Sequence, residues 1–588
     1  MLNPDGSSEQ LAHWNLTQSR GEPAVDSAAP DSQQIAKAEQ WLRSGTYASN
    51  NTIEASYRIH DHNLIDAPKH LQLSGAGASE AEFQGGPWQI NAKGNYLLHS
   101  QQSVSLTGKT VDIGEYSIAA RHQGETLHTA MNLGHHSLGL DSFLFSPQQR
   151  RGLSFQFGDS NNRLSTQLFA VRPDAIVGSN HLSGVSDPRS RLQGFAANIQ
   201  PFSEGPDALA ITAMYYDGEG STSGLGVSES HALNKGSGWG LMLEKSYWQG
   251  RLNLSGEHAH SRFDPDISVS DDLKESSDAW RMKIDLRPFT DLSWANQPVD
   301  LLVGAEYQRI DTFFASLANP GLAADRDMAS VFSDFYWGRL FANVQLSHET
   351  NNVDKLQGMP TDRLRSFAWN GNYAFNQQTG STAWLGTPYL QLSGFTAKLD
   401  RHKTPDGYLG FDTDNMASSL TVGGGSNYQD WYWSGNYTHA DFDDKAGMGS
   451  DTRSRFLSLA AGWQVHERLS LNTDVQYGIF SSKAEDSRSY NTNINLGVAA
   501  KSVSEKLDFN LNYNLNLSSG DSDLPDRHRV NAQLGWTIFK ASQSKPGVSI
   551  ALRGSMENNH GKNTYANGRD RYQVFATLRI SAPLAGGF

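Results

Sequence analysis

The chain has 588 residues, a net charge of −14 and no cysteine, which excludes disulfides, thiolate metal sites and cysteine nucleophiles. Only 37% of the residues are hydrophobic and the mean hydropathy is −0.53, far too polar for a bundle of membrane-spanning helices of about 20 apolar residues each. The acidic balance argues against nucleic-acid binding, because that function uses a basic surface.

The first 50 residues predict an arm outside the main fold. Residues 1–32 are rich in Ser, Pro, Asp, Gln and Ala, a composition typical of linkers. Residues 32–44 permit a short helix, because Ile35, Ala38 and Trp41 would share one face. We expect a mostly disordered periplasmic arm over residues 1–50, with this helix as its one ordered element.

From residue 51 onward, apolar and polar side chains alternate in segments of about ten residues. Between Leu507 and Leu517 the odd-numbered residues are apolar, whereas the even-numbered ones are Asp508 and four asparagines. Such a strand has one apolar face and one polar face. Short and long connections follow each other in turn, which is typical of barrels with lipid outside and water inside.

The pattern predicts an all-β fold consisting of a single large antiparallel transmembrane β-barrel over residues 51–588. We count about 26 strands, with 24 as the alternative. Residues 51–150 are the least regular, and two to four strands there could form a separate periplasmic or lumenal element. An even strand number places both termini on the periplasmic, short-turn side of a Gram-negative outer membrane.

Aromatic residues on the apolar faces predict two belts at the membrane interfaces. One belt is expected near the short turns and the other toward the long loops. The first comprises Trp88, Trp431, Trp433, Trp463 and Trp536, and the second Tyr437, Tyr477, Tyr490 and Tyr572.

The C-terminus resembles the assembly signal that closes the last strand of Gram-negative outer-membrane barrels. Ser581 to Gly587, with Pro583, separates the alternating segment from the terminal aromatic residue, so Ile580 is the expected end of the strand. The resemblance covers residues 51–588 by pattern and implies a large outer-membrane barrel of the exporter or translocon kind, with the subfamily open. The residues that carry it are Tyr572, Val574, Ala576, Leu578, Ile580 and Phe588.

The polar faces predict a lumen lined mainly by amides, which can hydrogen-bond successive hydroxyls of a glycan. A wetting role without a substrate is the plainer interpretation. The predicted amides are Asn370, Asn372, Asn376, Asn491, Asn493, Asn495, Asn510, Asn512, Asn514 and Asn516. A second, charged group is expected to brace the wall by cross-strand ion pairs. It comprises Arg281, Lys283, Asp285, Arg287 and Glu306.

Catalytic and metal-binding patterns are weak in this sequence. His258 and His260 fall on an apolar face and do not follow zinc-protease spacing. The acidic clusters, such as Asp441, Asp443 and Asp444, lack the spacing of an EF-hand loop and are expected to be solvated. We therefore expect no enzyme activity, no cofactor and no metal.

Three functions remain open. The first is an export or translocation channel for a bulky polysaccharide, surface protein or glycolipid, gated by a partner, by loops or by the N-terminal arm. The second is an oligosaccharide or nutrient porin, which would need a long inward-folded loop, with Asp217–Ser237 and Arg172–Arg191 as candidates. The third is the membrane anchor of a larger surface protein. Expected partners are outer-membrane lipid, the barrel-assembly machinery and a periplasmic protein or lipoprotein.

Overall fold

The computed structural model describes residues 44–64, 70–161, 163–202, 207–220, 233–267, 274–447, 449, 451–483, 485–521, 524–543, 545–560 and 570–587. These segments are mainly β-strand, with short 3₁₀ helices at Pro188–Ser190 and Gly380–Leu385. No helix within these ranges is long and apolar enough to cross a membrane.

The strands are numbered in chain order. The first thirteen are β1 Gly45–His62, β2 Leu71–Gly85, β3 Trp88–His99, β4 Val111–Gln123, β5 Leu127–Ser137, β6 Gln149–Asp159, β7 Leu164–Val171, β8 Arg191–Ile199, β9 Leu209–Gly220, β10 Asn234–Tyr247, β11 Leu252–Asp264, β12 Glu275–Leu286 and β13 Ser293–Trp294. The others are β14 Gln297–Ile310, β15 Arg326–Trp337, β16 Leu340–Thr350, β17 Thr361–Ala374, β18 Thr387–Lys403, β19 Asp414–Asn427, β20 Trp431–Asp444, β21 Thr452–His466, β22 Leu469–Ser482, β23 Ser487–Lys501, β24 Leu507–Gly520, β25 Asp526–Phe539, β26 Gly547–His560 and β27 Arg571–Gly587.

The sheet closes on itself to form a barrel. Apart from the two-residue strand β13, each strand pairs antiparallel with its neighbours in sequence, and β1 pairs with β27. That last pairing runs from Thr46 opposite Gly587 to His62 opposite Tyr572. Over the described residues the wall therefore contains 26 strands, which confirms the predicted antiparallel barrel.

The two rims of the barrel differ in their connections. At the rim where β1 begins and β27 ends, most turns are short; Gly86 and Pro87 alone join β2 to β3, and Gly86 adopts a φ of +57°, which glycine tolerates. At the opposite rim lie long connections such as residues 138–148, 172–190 and 311–325. We call these the short-turn rim and the long-loop rim. Both ends of the described chain lie at the short-turn rim.

The register shows which side chains face outward. Directly opposed residues in a sheet share a face, so one anchored residue fixes the face of its whole row. Glu257 and Ala259 on β11 are buried against loops inside the wall, so their parity faces the lumen. The opposite parity displays exposed apolar residues along successive strands, such as Leu241, Leu254 and Met282. The barrel therefore has an apolar outer face.

The boundaries differ from the sequence expectation at both ends. The first strand starts at Gly45, inside the segment assigned to the arm, and residues 1–43 lie outside the described residues. The last strand continues past Ile580 to Gly587, with Pro583 opposite Asn50, so Ile580 is not the end of the strand. The sequence Ser581–Gly587 lacks alternation, and its extended structure comes from pairing with β1. Phe588 also lies outside the described residues.

Residues 51–150 do not form a separate element. They contribute β1 to β5 and the start of β6, and every one of these strands pairs with its neighbours in the barrel wall. A β-bulge between Gly94 and Tyr96 shifts the register of β3 against β4. Such a bulge inserts an extra residue and breaks the two-residue period, which explains the irregular alternation in the sequence.

Candidate functional site

Two long loops fold into the lumen and fill part of it. We call residues 138–148, between β5 and β6, together with residues 311–325, between β14 and β15, the loop plug. Phe143, Leu144 and Phe145 of the first loop and Phe314 and Leu317 of the second are at most 2% exposed. They pack together in one buried cluster with residues of the wall. The plug is therefore a small hydrophobic core inside the barrel.

The part of the wall against which the plug packs is apolar on its inner face. The wall residues in the cluster come from β7, β8, β9, β11, β12 and β14. They are Phe169, Val171, Leu192, Ala196, Met214, Tyr216, Ala259, Ala279 and Ile310. On β9, Met214 and Tyr216 face the plug while Tyr215 faces outward, so both faces of this strand are apolar. The two-residue alternation is lost there.

Polar contacts fix the plug to the wall. Glu257 accepts a hydrogen bond from the backbone N–H of Phe143 at 2.7 Å and forms an ion pair with Arg281. Arg150, which is 2% exposed, donates to the carbonyl oxygen of Ala318 at 2.6 Å. Because each buried charge has a partner, the plug is held by specific contacts as well as by packing.

The two loops of the plug also bind each other. Ser316 Oγ donates to the carbonyl oxygen of Leu144 at 2.7 Å, and Asn319 Nδ2 donates to that of Ser142 at 3.0 Å. These bonds satisfy backbone groups that would otherwise be buried without partners, which would cost about 1–3 kcal/mol each. The plug is therefore a fixed constriction of the lumen.

Four residues of the predicted charged group lie on the lumen face near the plug. Arg281 pairs with Glu257 and its guanidinium lies 5.1 Å from the ring centroid of Phe143. Lys283 pairs with Asp285 on the same strand at 3.0 Å, and Glu306 lies directly opposite Lys283 in the register. The fifth, Arg287, follows the end of β12 at the short-turn rim. The ion pair of Arg281 with Glu257 joins β12 to β11, and Arg287 lies 4.0 Å from Asp300 on β14, whereas Lys283 pairs within its own strand.

Away from the plug, one row of opposed residues crosses the lumen face from β16 to β24 without an ionisable side chain. Its members are amides, one serine and one glycine, with an aromatic residue at the short-turn end. We call this row the amide ramp; it consists of Phe341, Asn372, Gln391, Gly423, Asn436, Ser458, Gln476, Asn493 and Asn516.

The amide ramp climbs from one rim toward the other. Phe341 is the second residue of β16 from the short-turn rim, Gln476 is the eighth of β22, and Asn516 is the tenth of β24. The row continues through Arg527 to Asn559, the thirteenth residue of β26. Because barrel strands tilt by roughly 40° and lie about 4.8 Å apart, the ten steps from β16 to β26 rise by about 30 Å, comparable to the apolar height of an outer membrane.

Rows parallel to the amide ramp are mostly polar, although Tyr389, Phe395 and Phe456 also belong to them. Thr421 and Thr438 share a hydrogen bond of 2.8 Å in the row on the long-loop side, and Asn514 Nδ2 donates to Asn493 Oδ1 at 2.9 Å. Asn510 and Asn512 lie on the same face of β24 and border a lumenal cavity of about 410 Å³. The amides therefore form a mainly polar surface, which also carries Asp474 as the acceptor of a hydrogen bond from Asn495.

The structure places nine of the ten predicted amides on this surface. Asn372, Asn493 and Asn516 belong to the ramp, and the other six occupy neighbouring rows of the same face: Asn370, Asn491, Asn495, Asn510, Asn512 and Asn514. Asn376 is not on the wall. It follows the end of β17 at Ala374, and its carbonyl oxygen accepts a bond from Gln378 within the connection to β18.

All nine belt aromatics have the parity of the outer face. The five tryptophans lie at or near short-turn ends; Trp431 begins β20 and pairs directly with Trp463. Tyr572 lies at the long-loop end of β27, where it contacts His60 and His62, and Tyr490 lies near the long-loop end of β23. Tyr437 and Tyr477, in contrast, lie about halfway along β20 and β22 rather than toward the loops.

Of the two loops that the sequence offered as lumen constrictions, only Arg172–Arg191 is fully described, and it is not part of the plug. In Asp217–Ser237, the first and last four residues belong to β9 and β10, and residues 221–232 lie outside the described residues. In Arg172–Arg191, Ser179 N donates to Asp112 and the carbonyl oxygens of Gly178 and Asn180 accept from Arg151. This loop therefore binds the long-loop ends of β4 and β6. The apolar residues of the first loop, Leu138, Leu140, Phe143, Leu144 and Phe145, are a local signal that this connection is buried, but they do not identify what it packs against.

His258 and His260 lie on the outer face between two tryptophans. The ring of His258 lies 3.9 Å from that of Trp280 and 5.1 Å from that of Trp239, and both histidines contact Asp278. This placement is that of an interfacial cluster facing lipid. In the part of the chain that is described, no group of three or more His, Asp or Glu side chains could hold a metal ion.

Comparison with known proteins gives structural neighbours but no sequence relatives. No family model and no curated protein matches the sequence. Among solved structures, the siderophore receptor PirA from Pseudomonas aeruginosa is 10% identical, with 91% of this chain and 80% of that chain covered and a TM-score of 0.36. The P pilus usher PapC translocation pore is 10% identical, with 92% and 99% covered and a TM-score of 0.30. The RagAB peptide transporter is 8% identical, with 92% and 86% covered and a TM-score of 0.39.

The class of the protein follows from its own strand topology. A closed antiparallel wall of 26 strands with an apolar outer face and short turns at one rim is the architecture of Gram-negative outer-membrane β-barrels. The subfamily within that class stays open.

Proposed function

We propose that this protein is an outer-membrane translocation channel for a bulky hydrophilic substrate. The observation that carries the proposal is the row of uncharged polar side chains that climbs the lumen wall toward the long-loop rim, across the lumen from the wall on which the loop plug packs. A barrel of 26 strands is about 50 Å across if its section is circular, so a plug that packs on seven of them still leaves a wide path. Substrate would pass between the plug and the amide ramp.

The plug supports a path of fixed width rather than a gate made of these loops. Its buried residues are packed and hydrogen-bonded to the wall, and opening would expose Phe143, Leu144 and Phe314 to water. Each buried side chain of this kind contributes about 1.5–3 kcal/mol. We therefore assign gating to a periplasmic partner or to the N-terminal arm. In this proposal the short-turn rim and both termini lie in the periplasm.

An oligosaccharide porin is the second candidate, and the inward-folded loops favour it. A porin needs a constriction that limits solute size, and residues 138–148 and 311–325 provide one. The two functions differ in the width of the path, because an exporter of a folded or polymeric substrate needs a wider opening than a nutrient porin does.

Single-channel conductance in planar bilayers tests the proposal. We expect the purified barrel to form a large, steady pore, and polyethylene glycols of increasing size should enter it until their radius exceeds about 10 Å. A variant lacking residues 1–43 should conduct for a larger fraction of the time if the arm gates the pore. Entry of only the smallest polymers would support the porin, and a barrel that never conducts would contradict both functions.

A further inference from the structure

The lower end of the amide ramp carries an aromatic pair. Tyr336 and Phe341 lie directly opposite each other on β15 and β16, on the lumen face at the short-turn rim. Their ring centroids are 4.8 Å apart at an interplanar angle of 39°, and Tyr336 is 47% exposed. Tyr336 is exposed and Phe341 is half-buried, so the two rings together present an apolar surface to the lumen beside the ramp.

Two amide side chains next to this pair also face the lumen. Asn372 lies directly opposite Phe341, Gln391 follows Asn372 in the same row, and both are exposed. A pyranose ring has an apolar C–H face that packs on an aromatic ring and a rim of hydroxyls that need donors and acceptors. An amide offers both a donor and an acceptor, so the pair and the adjacent ramp match the two sides of a sugar.

The charges near the pair select among glycans. Asp300 lies opposite Tyr336 in the register and forms an ion pair with Arg287 at 4.0 Å, and Asp334 accepts a hydrogen bond from Asn343 on the neighbouring row. Arg287 offsets the charge of Asp300, so Asp334 is the negative charge that repels an anionic polymer here, and the ramp itself offers no cation to bind one. Both features favour an uncharged chain.

We propose that Tyr336 and Phe341 form the entry site for a neutral glycan chain, which then moves along the amide ramp toward the long-loop rim. This inference rests on the proposed channel function and names its substrate class. As the glycan advances, each sugar residue replaces its amide contacts by similar ones further along the ramp. No single position therefore binds the chain much more tightly than the others.

The experiment measures interruption of the ion current by neutral six-residue oligosaccharides: maltohexaose, cellohexaose and chitohexaose. We expect at least one of them to interrupt the current of the unmodified protein. In the double variant Tyr336→Ala with Phe341→Ala, its residence time should fall by about fivefold or more, because both stacking rings are gone. Tyr336→Phe should retain the interruption, since the ring is kept.

Tyr373→Ala is the matched control. Tyr373 lies on β17 at the same rim and is 39% exposed, but it faces outward. Its removal should leave the residence time unchanged. Folding of every variant is checked by the heat-dependent shift in gel mobility, and sugar binding to the detergent-solubilised protein is measured separately by saturation-transfer NMR.

The outcomes separate this inference from the channel function. A protein that conducts but binds none of the three sugars, or binds them equally well without the aromatic pair, overturns the entry site and leaves the channel standing. Stronger interruption by oligogalacturonate or by an unstructured peptide would assign the path to an anionic or polypeptide substrate and also overturns it. A protein that binds sugar through the pair but does not conduct overturns the channel function alone.

Discussion

Glu257 on β11 connects the wall, the plug and the charged group of the lumen. Its side chain is 5% exposed and contacts both the backbone N–H of Phe143 and the guanidinium of Arg281. A buried carboxylate is costly unless each of its oxygens has a partner, and here both do. The residue therefore contributes more to the position of the loop than to ion selectivity.

Replacing Glu257 by alanine should release the first loop of the plug. The backbone N–H of Phe143 loses its acceptor, and Arg281 loses its counter-ion in a partly buried site. Because the side chain of Arg281 is 33% exposed, water screens part of the effect, and we expect a loss of about 2 kcal/mol. Cleavage by chymotrypsin at residues 143–145 should become faster.

Glu306→Ala is the comparison for this prediction, since Glu306 also faces the lumen but lies lower on β14. It should leave the chymotrypsin rate near that of the unmodified protein. Equal cleavage rates in Glu257→Ala and in the unmodified protein would show that packing alone holds the loop.

At the scale of single elements, β10 is built to receive the plug. Gly236, Gly238 and Gly240 share its lumen face, and a side chain on any of them would meet the plug or its neighbours. A Cβ atom on Gly238 would lie 2.8 Å from Leu144 Cδ2 and 2.9 Å from Tyr216 Cε1. Because these glycines have no side chains, Leu144 of the plug can pack directly on the strand.

The variant Gly238→Leu should displace the plug without opening the barrel. Overpacking of a tight core costs about 1–3 kcal/mol, and the loop can move into the lumen more easily than the wall can distort. We expect a higher single-channel conductance. Gly256→Leu on β11 is the control, because its Cβ atom would face outward and lies 3.9 Å from the nearest atom, the carbonyl oxygen of Arg281. Unchanged conductance in Gly238→Leu would contradict the placement of the plug in the ion path.

The strands were predictable from sequence wherever one face is wet and the other meets lipid. On β24 the amides from Asn510 to Asn516 fix the face of every side chain, and Asn493 and Asn495 do the same on β23. The prediction fails where the inner face is apolar, as at Met214 on β9, because the alternation then disappears. Asn376 was misplaced because a polar residue just past a strand end continues the apparent period.

The plug and the ramp could not be read from the chain alone for a different reason. The ramp is a row across nine strands, and its members are far apart in sequence, as Phe341 and Asn516 are. Only the register between strands, which depends on every turn and bulge, brings them into one line. The plug likewise depends on contacts between residues 138–148 and 311–325, which no local pattern encodes.

The whole barrel depends on the pairing of its first and last strands. β1 and β27 are paired from Thr46 to His62 of β1. Arg553 on β26 also forms an ion pair with Glu54 on β1, at 2.6 Å. A closed wall leaves no strand edge to lipid, where unpaired backbone groups would each cost several kcal/mol. Closure is therefore the step on which stability in the membrane depends.

A disulfide across this seam tests closure directly, because the chain contains no cysteine and a single introduced pair is unambiguous. Thr52 and Ser581 are directly opposed, and antiparallel partners lie about 4.5–5.5 Å apart, within the range that a disulfide spans. We expect Thr52→Cys with Ser581→Cys to oxidise nearly completely, and the denatured protein to change its gel mobility only on reduction.

Ser56→Cys with Ser581→Cys is the matched control. Ser56 is opposite Thr577, four residues or about 13 Å further along the strand, so this pair of cysteines should stay reduced. Oxidation of the control pair instead would place the seam in a different register.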